Sequence, residues 1–296
     1  MFTLTVLASG SAGNCALVAT GQTRLLVDAG ISARQMVRRL ELAGIAPEQL
    51  DGILLTHEHG DHTAGLEVLC RRFASVPVYG NAATAGAVRY AGNLKEHRNW
   101  RVFPTGGDFE IGDIGVQTFS VPHDAADPVG FVFQHGDAAL GFLTDLGFAT
   151  KLVHERVRLA TTLLIETNHD SALLSADTRR PWSVKQRIMS RHGHLSNEAA
   201  AAVIGQTLAG GGQLRRAVLG HLSRDCNRPD LALATLRREG GDGVAALELV
   251  CAAQGEMGEP LAIEPPPKPE PVETPRLAEE PGAFSAQMDL FGAMAI

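Results

Sequence analysis

Ile53-Leu54-Leu55-Thr56-His57-Glu58-His59-Gly60-Asp61-His62 joins a short apolar run to a loop crowded with metal-binding side chains. The apolar triplet reads as a buried strand. Three histidines and an aspartate then fall within six consecutive positions. Imidazoles with a carboxylate suit a zinc-type or manganese-type ion better than calcium or magnesium. A loop that merely happens to be rich in histidine is the alternative. It is disfavoured because four such groups this close would repel and desolvate one another without a cation.

Working outward, residues 61–73 have helical spacing, so Asp61 and His62 stand in a first turn while His57 and His59 precede it. Upstream, Leu25-Leu26-Val27-Asp28-Ala29-Gly30 is an apolar strand closed by a carboxylate and a glycine. Asp28 is either a partner that orients a ligand histidine or a cap or turn residue. Residues 32–43 read as a helix with Met36, Leu40 and Ala43 on one face and Gly44 as a stop. Between the strands at 2–7 and 23–27 lies Ala8-Ser9-Gly10-Ser11-Ala12-Gly13-Asn14. Its small residues allow a tight turn and close approach of amides to a ligand. A phosphate cradle and an ordinary hairpin connection are equally consistent with it.

Downstream, strands are expected at 76–79, 114–121, 129–134, 138–143, 162–165, 217–219 and 243–251. Helices are expected at 82–90, 197–209 and 230–238, with another ending at 187–191. His123, Asp145 and His221 each follow one of these strands. Strand-then-loop placement gathers them with the histidine loop at one sheet edge. Seven groups (His57, His59, Asp61, His62, His123, Asp145, His221) exceed one tetrahedral ion and suit two, with a carboxylate such as Asp145 bridging. Coordination lowers the pKa of water from ~15.7 towards ~7, which allows hydrolysis without a serine or cysteine nucleophile. Glu166-Thr167-Asn168-His169-Asp170 is a polar cluster that contacts substrate or simply turns the chain. His194 is a substrate-facing acid or a loop histidine, and Ser196 is a good N-cap for the alanine-rich helix after it.

Composition sets the outer limits. The 296 residues, 45% hydrophobic and 20% charged, are those of a soluble globular protein able to bury a full-sized core. The N-terminus alternates like a strand without a basic leader, and no apolar run has spanning length, so neither a signal peptide nor a membrane segment is expected. Cys15, Cys70, Cys226 and Cys251 are far apart, as expected of reduced thiols in a cytoplasm. Residues 256–296 carry eight acids against Lys268 and Arg276, so nearly all of the net charge of −7 lies there. The body is therefore close to neutral. A nucleic-acid substrate is not excluded, and no strong basic field speaks for one.

His57-x-His59-x-Asp61-His62 resembles the HxHxDH signature of the metallo-β-lactamase superfamily, over roughly residues 2–251. Asp28, His123, Asp145 and His221 match its remaining motifs in order. The resemblance implies an α/β fold of the αββα sandwich type, with His57, His59 and His123 on one metal. Asp61, His62 and His221 would hold the other, Asp145 would bridge, and the ions would be Zn²⁺ or Mn²⁺. Ser9-Gly10-Ser11-Ala12-Gly13-Asn14, Glu166–Asp170, Gly193–Asn197 and Gly220–Ser223 are similar to segments of the YycJ/WalJ-type branch, whose members are regarded as 5′-directed DNA exonucleases. That similarity implies catalytic roles for Asp61 and His194 and substrate contacts by Ser9, Ser11, Asn14, Asn168 and His169. A thioesterase like glyoxalase II and a regulatory protein with a vestigial site are the alternatives.

The hydrolase domain is thus expected at 1–255. A Pro/Glu-rich linker at 256–285 is expected to be extended and solvated. The chain then carries Gln287-Met288-Asp289-Leu290-Phe291, within a short motif at 286–292 that resembles the bacterial sliding-clamp-binding peptide. Gln287, Leu290 and Phe291 match its anchors, and Met288 replaces its leucine. The resemblance implies the DNA polymerase sliding clamp as partner.

Overall fold

Strands that are apolar at consecutive positions must bury both faces, and the strands of this protein are arranged to do so. The structure, a computed structural model, describes residues 1–91, 94, 95 and 97–267. One sheet is built in order from β1 (Thr3–Ala8), β2 (Cys15–Ala19), β3 (Arg24–Val27), β4 (Gly52–Leu54), β5 (Val78–Asn81) and β6 (Trp100–Phe103). The other runs β7 (Asp108–Ile111), β8 (Ile114–Ser120), β9 (Val129–His135), β10 (Ala138–Leu143), β11 (Thr162–Glu166), β12 (Arg216–Gly220) and β13 (Glu248–Cys251). In each sheet the early strands pair antiparallel and the later ones parallel. The chain thus lays down the same pattern twice.

The two inner faces meet in one core. Leu4, Val18, Leu25 and Leu54 of the first sheet share it with Val116, Phe131, Phe133, Leu140 and Phe142 of the second. Each fully buried side chain of this size contributes about 1.5–3 kcal/mol. The neighbouring residues on the same strands point outward into two flanking helical layers. Leu26 and Ile53 pack with Met36 and Leu40 of the helix Ala33–Leu42, and Leu163 and Leu219 with Ala200 and Ile204 of the helix Asn197–Ala209. This is the expected αββα sandwich. Ser32 caps the first of these helices in a capping box with Gln35.

The structure corrects several local expectations. The helix expected over 61–73 is broken into Gly60–Thr63 and Leu66–Arg72. At the break the Gly65 amide donates to the Ala29 carbonyl at 2.9 Å, and a Cβ there would lie 2.0 Å from the Ile31 carbonyl oxygen. The strand expected over 243–251 is β13 alone, because Gly241–Ala245 forms a short helix. Strands β2, β6 and β7 were not foreseen. The folded unit also runs beyond the expected boundary at 255, to Pro266. There β14 (Leu261–Ala262) pairs antiparallel with β1, and Ile263 is buried against the inner core. Residues 256–266, assigned to a solvated linker, are therefore part of the sandwich because they cover an open sheet edge. The rest of that linker beyond residue 267, with the 286–292 motif, lies outside the described residues. Among the described residues no helix is long and apolar enough to cross a membrane, and all four cysteines are free.

Candidate metal centre

The carboxyl ends of β3, β4, β8, β10, β11 and β12 open at one edge of the sandwich. Residues just beyond or at those ends, Asp28, His57, His123, Asp145, Glu166 and His221, are all buried. Asp28, Asp145 and His221 adopt φ of 60°, 51° and 51°. Left-handed backbone at non-glycine residues costs of order 1–3 kcal/mol each and persists where the surroundings impose it. Three such residues at one strand edge mark it as a site.

The histidine loop is locked from behind. Asp28 accepts from the Thr56 amide at 2.9 Å and lies 2.8 Å from His62 Nδ1. This directs His62 Nε2 to the opposite side, 3.1 Å from Asp145 Oδ2. The Thr56 hydroxyl lies 3.0 Å from His57 Nδ1, which likewise turns His57 Nε2 outward. Asp28 therefore stands where a residue orienting His62 would stand. His123 is set by a different segment, its Nδ1 lying 3.0 Å from the Gly193 carbonyl oxygen. Its Nε2 faces His59 Nδ1 at 3.3 Å.

Two ligand groups result. His57, His59, His123 and Asp145 bring ligating atoms within 4.8 Å of one another, and so do Asp61, His62, Asp145 and His221. Asp145 belongs to both. Its Oδ2 lies 3.5, 3.1 and 3.7 Å from Nε2 of His57, His62 and His123, and its Oδ1 contacts His221 Nδ1. A third group joins Asp145 to Glu166 and His194.

The donor chemistry fits divalent cations. Burial pushes the His57 imidazolium pKa well below the ordinary value, with His62 acting in the same direction. Burial also lowers His123. These rings are therefore neutral ligands at neutral pH. Burial opposes ionisation of Asp145, yet His221 and His62 hold its carboxyl well below the usual range. Neutral His57 and His123 and an ionised Asp145 are donors that His/Asp metal sites use. At His62 burial is overcome by Asp145 and Asp28, which raise it well above the ordinary value, so a cation bound there would displace its proton.

The cleft above these groups has a volume of about 450 Å³ and is bordered by Ser11, His59, Asp61, Arg187 and His194. His194 Nδ1 lies 3.0 Å from Glu166 Oε2, leaving Nε2 as the free ring nitrogen. Burial would lower this histidine, but the carboxylates around it, Glu166 foremost with Asp145 and Asp61, together outweigh burial and raise it to about 9. Glu166 is itself held by the Leu146 and Leu195 amides, which donate to Oε1 at 2.6 and 3.1 Å. The sequence reading placed Glu166 only within a polar cluster that contacts substrate or turns the chain, with no role of its own. Its signal was the one that marked Asp28 and Asp145, a carboxylate closing an apolar strand.

Four expected substrate contacts sit differently. Ser9 is buried, and its Oγ accepts from the His221 amide at 2.7 Å. Asn168 is buried and donates from Nδ2 to the His221 carbonyl at 3.2 Å. His169 is buried outside the cleft lining, with Nδ1 unpartnered among the described residues. In Ser9 and Asn168 one polar atom is used to hold the His221 loop. Asn14 is buried behind the ligands, with Nδ2 3.1 Å from His62 Nε2 and 3.5 Å from Asp61 Oδ2. Ser11 is exposed and borders the cleft.

Comparison with known proteins agrees with this geometry. Residues 23–222 match the family described as Beta-lactamase superfamily domain. The chain is 37% identical over 243 residues to Exodeoxyribonuclease YycJ of Bacillus anthracis, covering 81% of this chain and 90% of the relative. It is 38% identical over 238 residues to Exodeoxyribonuclease WalJ of Streptococcus pneumoniae, covering 79% and 87%. Among solved structures, the metallo-beta-lactamase fold protein YhfI from Bacillus subtilis superposes with a TM-score of 0.68 at 18% identity, over 88% of this chain and all of that one, a likeness of fold.

Proposed function

This chain belongs to the metallo-β-lactamase superfamily and is a metal-dependent hydrolase, and we propose that it is a dinuclear exodeoxyribonuclease acting on DNA from the 5′ end in the cytoplasm. The observation that carries the two-metal reading is the membership of Asp145 in both ligand groups. Similarity across four-fifths of the chain to proteins named exodeoxyribonucleases supports DNA as the substrate.

In this reading His57, His59 and His123 would hold one ion, Asp61, His62 and His221 would hold the other, and Asp145 would serve both. The ions are Zn²⁺ or Mn²⁺, for which imidazole and carboxylate donors are suited. Divalent cations bound there would lower the pKa of water towards ~7 and neutralise charge on phosphoryl oxygens. The chain's own groups do the rest. Asp28 and Thr56 fix the ring orientations of His62 and His57. Ser9 and Asn168 fix the His221 loop. Water's oxygen joins phosphorus as the bond to the departing sugar oxygen breaks, and that oxygen takes up a proton. His194, its Nδ1 engaged by Glu166, has Nε2 free on the cleft side to donate it or to hydrogen-bond the phosphate.

The test is degradation of 5′-phosphorylated single-stranded DNA with added Mn²⁺ or Zn²⁺, with the double variant His59→Ala, Asp61→Ala as blank. Stepwise loss of 5′ nucleotides by the unaltered protein alone is expected. Absence of cleavage by metal-loaded protein would sink the nuclease reading. Recruitment to the sliding clamp through Gln287, Met288, Leu290 and Phe291 is a separable part of the proposal. Alanine at Gln287, Leu290 and Phe291 should abolish clamp binding and leave turnover of free DNA intact; clamp binding that persists removes it.

A further inference from the structure

A second depression of about 380 Å³ adjoins the cleft and shares Ser11 with it. Its walls are the loop Ser9–Gly13, the residues Ser223–Asp225 that follow the ligand His221, and the side chains of Arg39 and Arg180. Arg39, Arg180 and Arg224 bring three guanidiniums to it against the single carboxylate of Asp225. Their partners differ. Arg180 is paired with Asp225 at 3.0 Å and with Asp177. Arg39 donates to the Leu7 and Gly255 carbonyl oxygens, which fixes the guanidinium without neutralising it. Arg224 is exposed and, among the described residues, has no ion-pair or hydrogen-bond partner.

The ridge between cleft and depression offers donors as well. Gly10 and Gly13 have φ of 114° and 141°, and a Cβ on Gly13 would lie 2.5 Å from the Gly30 carbonyl oxygen. These glycines let the loop turn back tightly, and the Gly13 amide donates to the Gly10 carbonyl at 2.9 Å. The Ser11 and Ala12 amides at the tip are exposed and have no partner among the described residues. Successive free amides in a turn make an anion-binding concavity. No aromatic side chain lines the depression, so it is not built to stack bases.

We infer that this groove carries the phosphodiester backbone of the substrate strand beyond the bond being cleaved, with Arg224 and the Ser11–Ala12 ridge as its phosphate contacts. The inference rests on the nuclease reading for the identity of the strand. It gives a body of nearly neutral charge a local grip on a polyanion: Arg39 and Arg224, neither with a carboxylate partner among the described residues, stand beside the cleft. Arginine suits this task because its planar donor fork matches phosphate oxygens. Contacts of this kind are independent of sequence and sensitive to salt.

The experiment uses the metal-loaded full chain and a 12-nucleotide phosphorothioate single strand, with binding read by fluorescence anisotropy over a salt series. Arg224→Glu should weaken binding at least about ten-fold. Arg224→Ala should reduce the slope of log affinity against log salt by about 0.7, the value for one lost phosphate contact on a single strand, and Arg224→Lys should restore most of it. Turnover of bis(p-nitrophenyl) phosphate, which is too small to reach the groove, should be unchanged in all three. Unaltered oligonucleotide binding by Arg224→Glu overturns the groove, as does a parallel loss of small-diester turnover. Intact binding dependent on Arg224, combined with no cleavage of ordinary DNA by the unaltered protein, would uphold the groove and reject the nuclease reading instead.

Discussion

The loop His57–His62 and the strand ends that face it contribute to the same centre but are held in different ways. The loop places four candidate ligands on one continuous stretch. Its orientation comes from Asp28 and Thr56, which stand at the ends of adjacent parallel strands of the same sheet. His123, Asp145 and His221 follow three different strands of the second sheet. Each is fixed by a remote partner: His123 by the Gly193 carbonyl, His221 by Ser9, and Leu146, next to Asp145, by Glu166. One half of the centre is thus a local motif on a rigid strand pair. The other is a convergence that exists only when the second sheet has its native register and the two sheets are packed. Ligands from the second half should therefore be the ones through which both metal positions depend on the whole fold.

The largest effect that would sharpen this contrast is at the group common to both halves. Asp145→Ala should lower metal content at both positions and reduce turnover by more than about 100-fold, exceeding the loss from removing an orienting partner. His123→Ala should deplete one position only. Metal analysis of the two purified variants checks the difference, and equal stoichiometry in both would break the shared role of Asp145. Next comes the local support. Asp28→Ala removes the group that orients His62 and should weaken metal affinity about 10–100-fold, as read by competition with a chromophoric chelator. An affinity unchanged within error would mean that the loop holds its ligands without help from the neighbouring strand.

The smallest expected effect concerns His194 and is read in chelator-treated protein, because bound cations nearby would pull its pKa down. There Glu166, with Asp145 and Asp61, overcomes burial and raises the imidazolium from the ordinary histidine range to about 9. A raised folded-state pKa contributes stability that is fully present below about 6.5 and is lost as pH rises through about 9. Glu166→Gln should return the His194 titration, followed by NMR of its ring protons, towards the ordinary histidine range and flatten stability across that interval. A titration that stays near 9 in the variant would mean that Asp145 and Asp61, the other carboxylates acting on His194, suffice without Glu166.

The same division explains what could be read in advance. Strands β4, β10, β11 and β12 are recognisable because burial on both faces requires apolar residues at every position. Strand β6 is an edge strand with Arg101 and Val102 exposed, and β7 has only Ile111 fully buried. Their pairing is dictated by neighbours, so their own side chains carry little pattern. The carboxyl-terminal boundary was misplaced for a similar reason. Leu261-Ala262-Ile263 is too short and too rich in surrounding proline and glutamate to advertise a strand, and it becomes one only because β1 offers an open edge.

By itself the sequence determined the architecture and the candidate ligand groups. Closely spaced histidines and aspartates after an apolar strand have few stable uses other than binding cations, and alternation of strand and helix admits few layer arrangements. Tertiary structure decided which polar residues border the cleft and which hold the candidate ligands from behind. Ser9 and Asn168 look like contact residues in one dimension. They turn inward because the His221 loop, 212 and 53 residues away along the chain, presents an amide and a carbonyl that must be satisfied when buried. Glu166 and His194 become a pair through the same constraint, since a buried carboxylate at a strand end needs donors, and the segment returning after the helix Trp182–Ile188 supplies them. Such partnerships depend on the register and packing of distant segments, which local residue spacing does not encode.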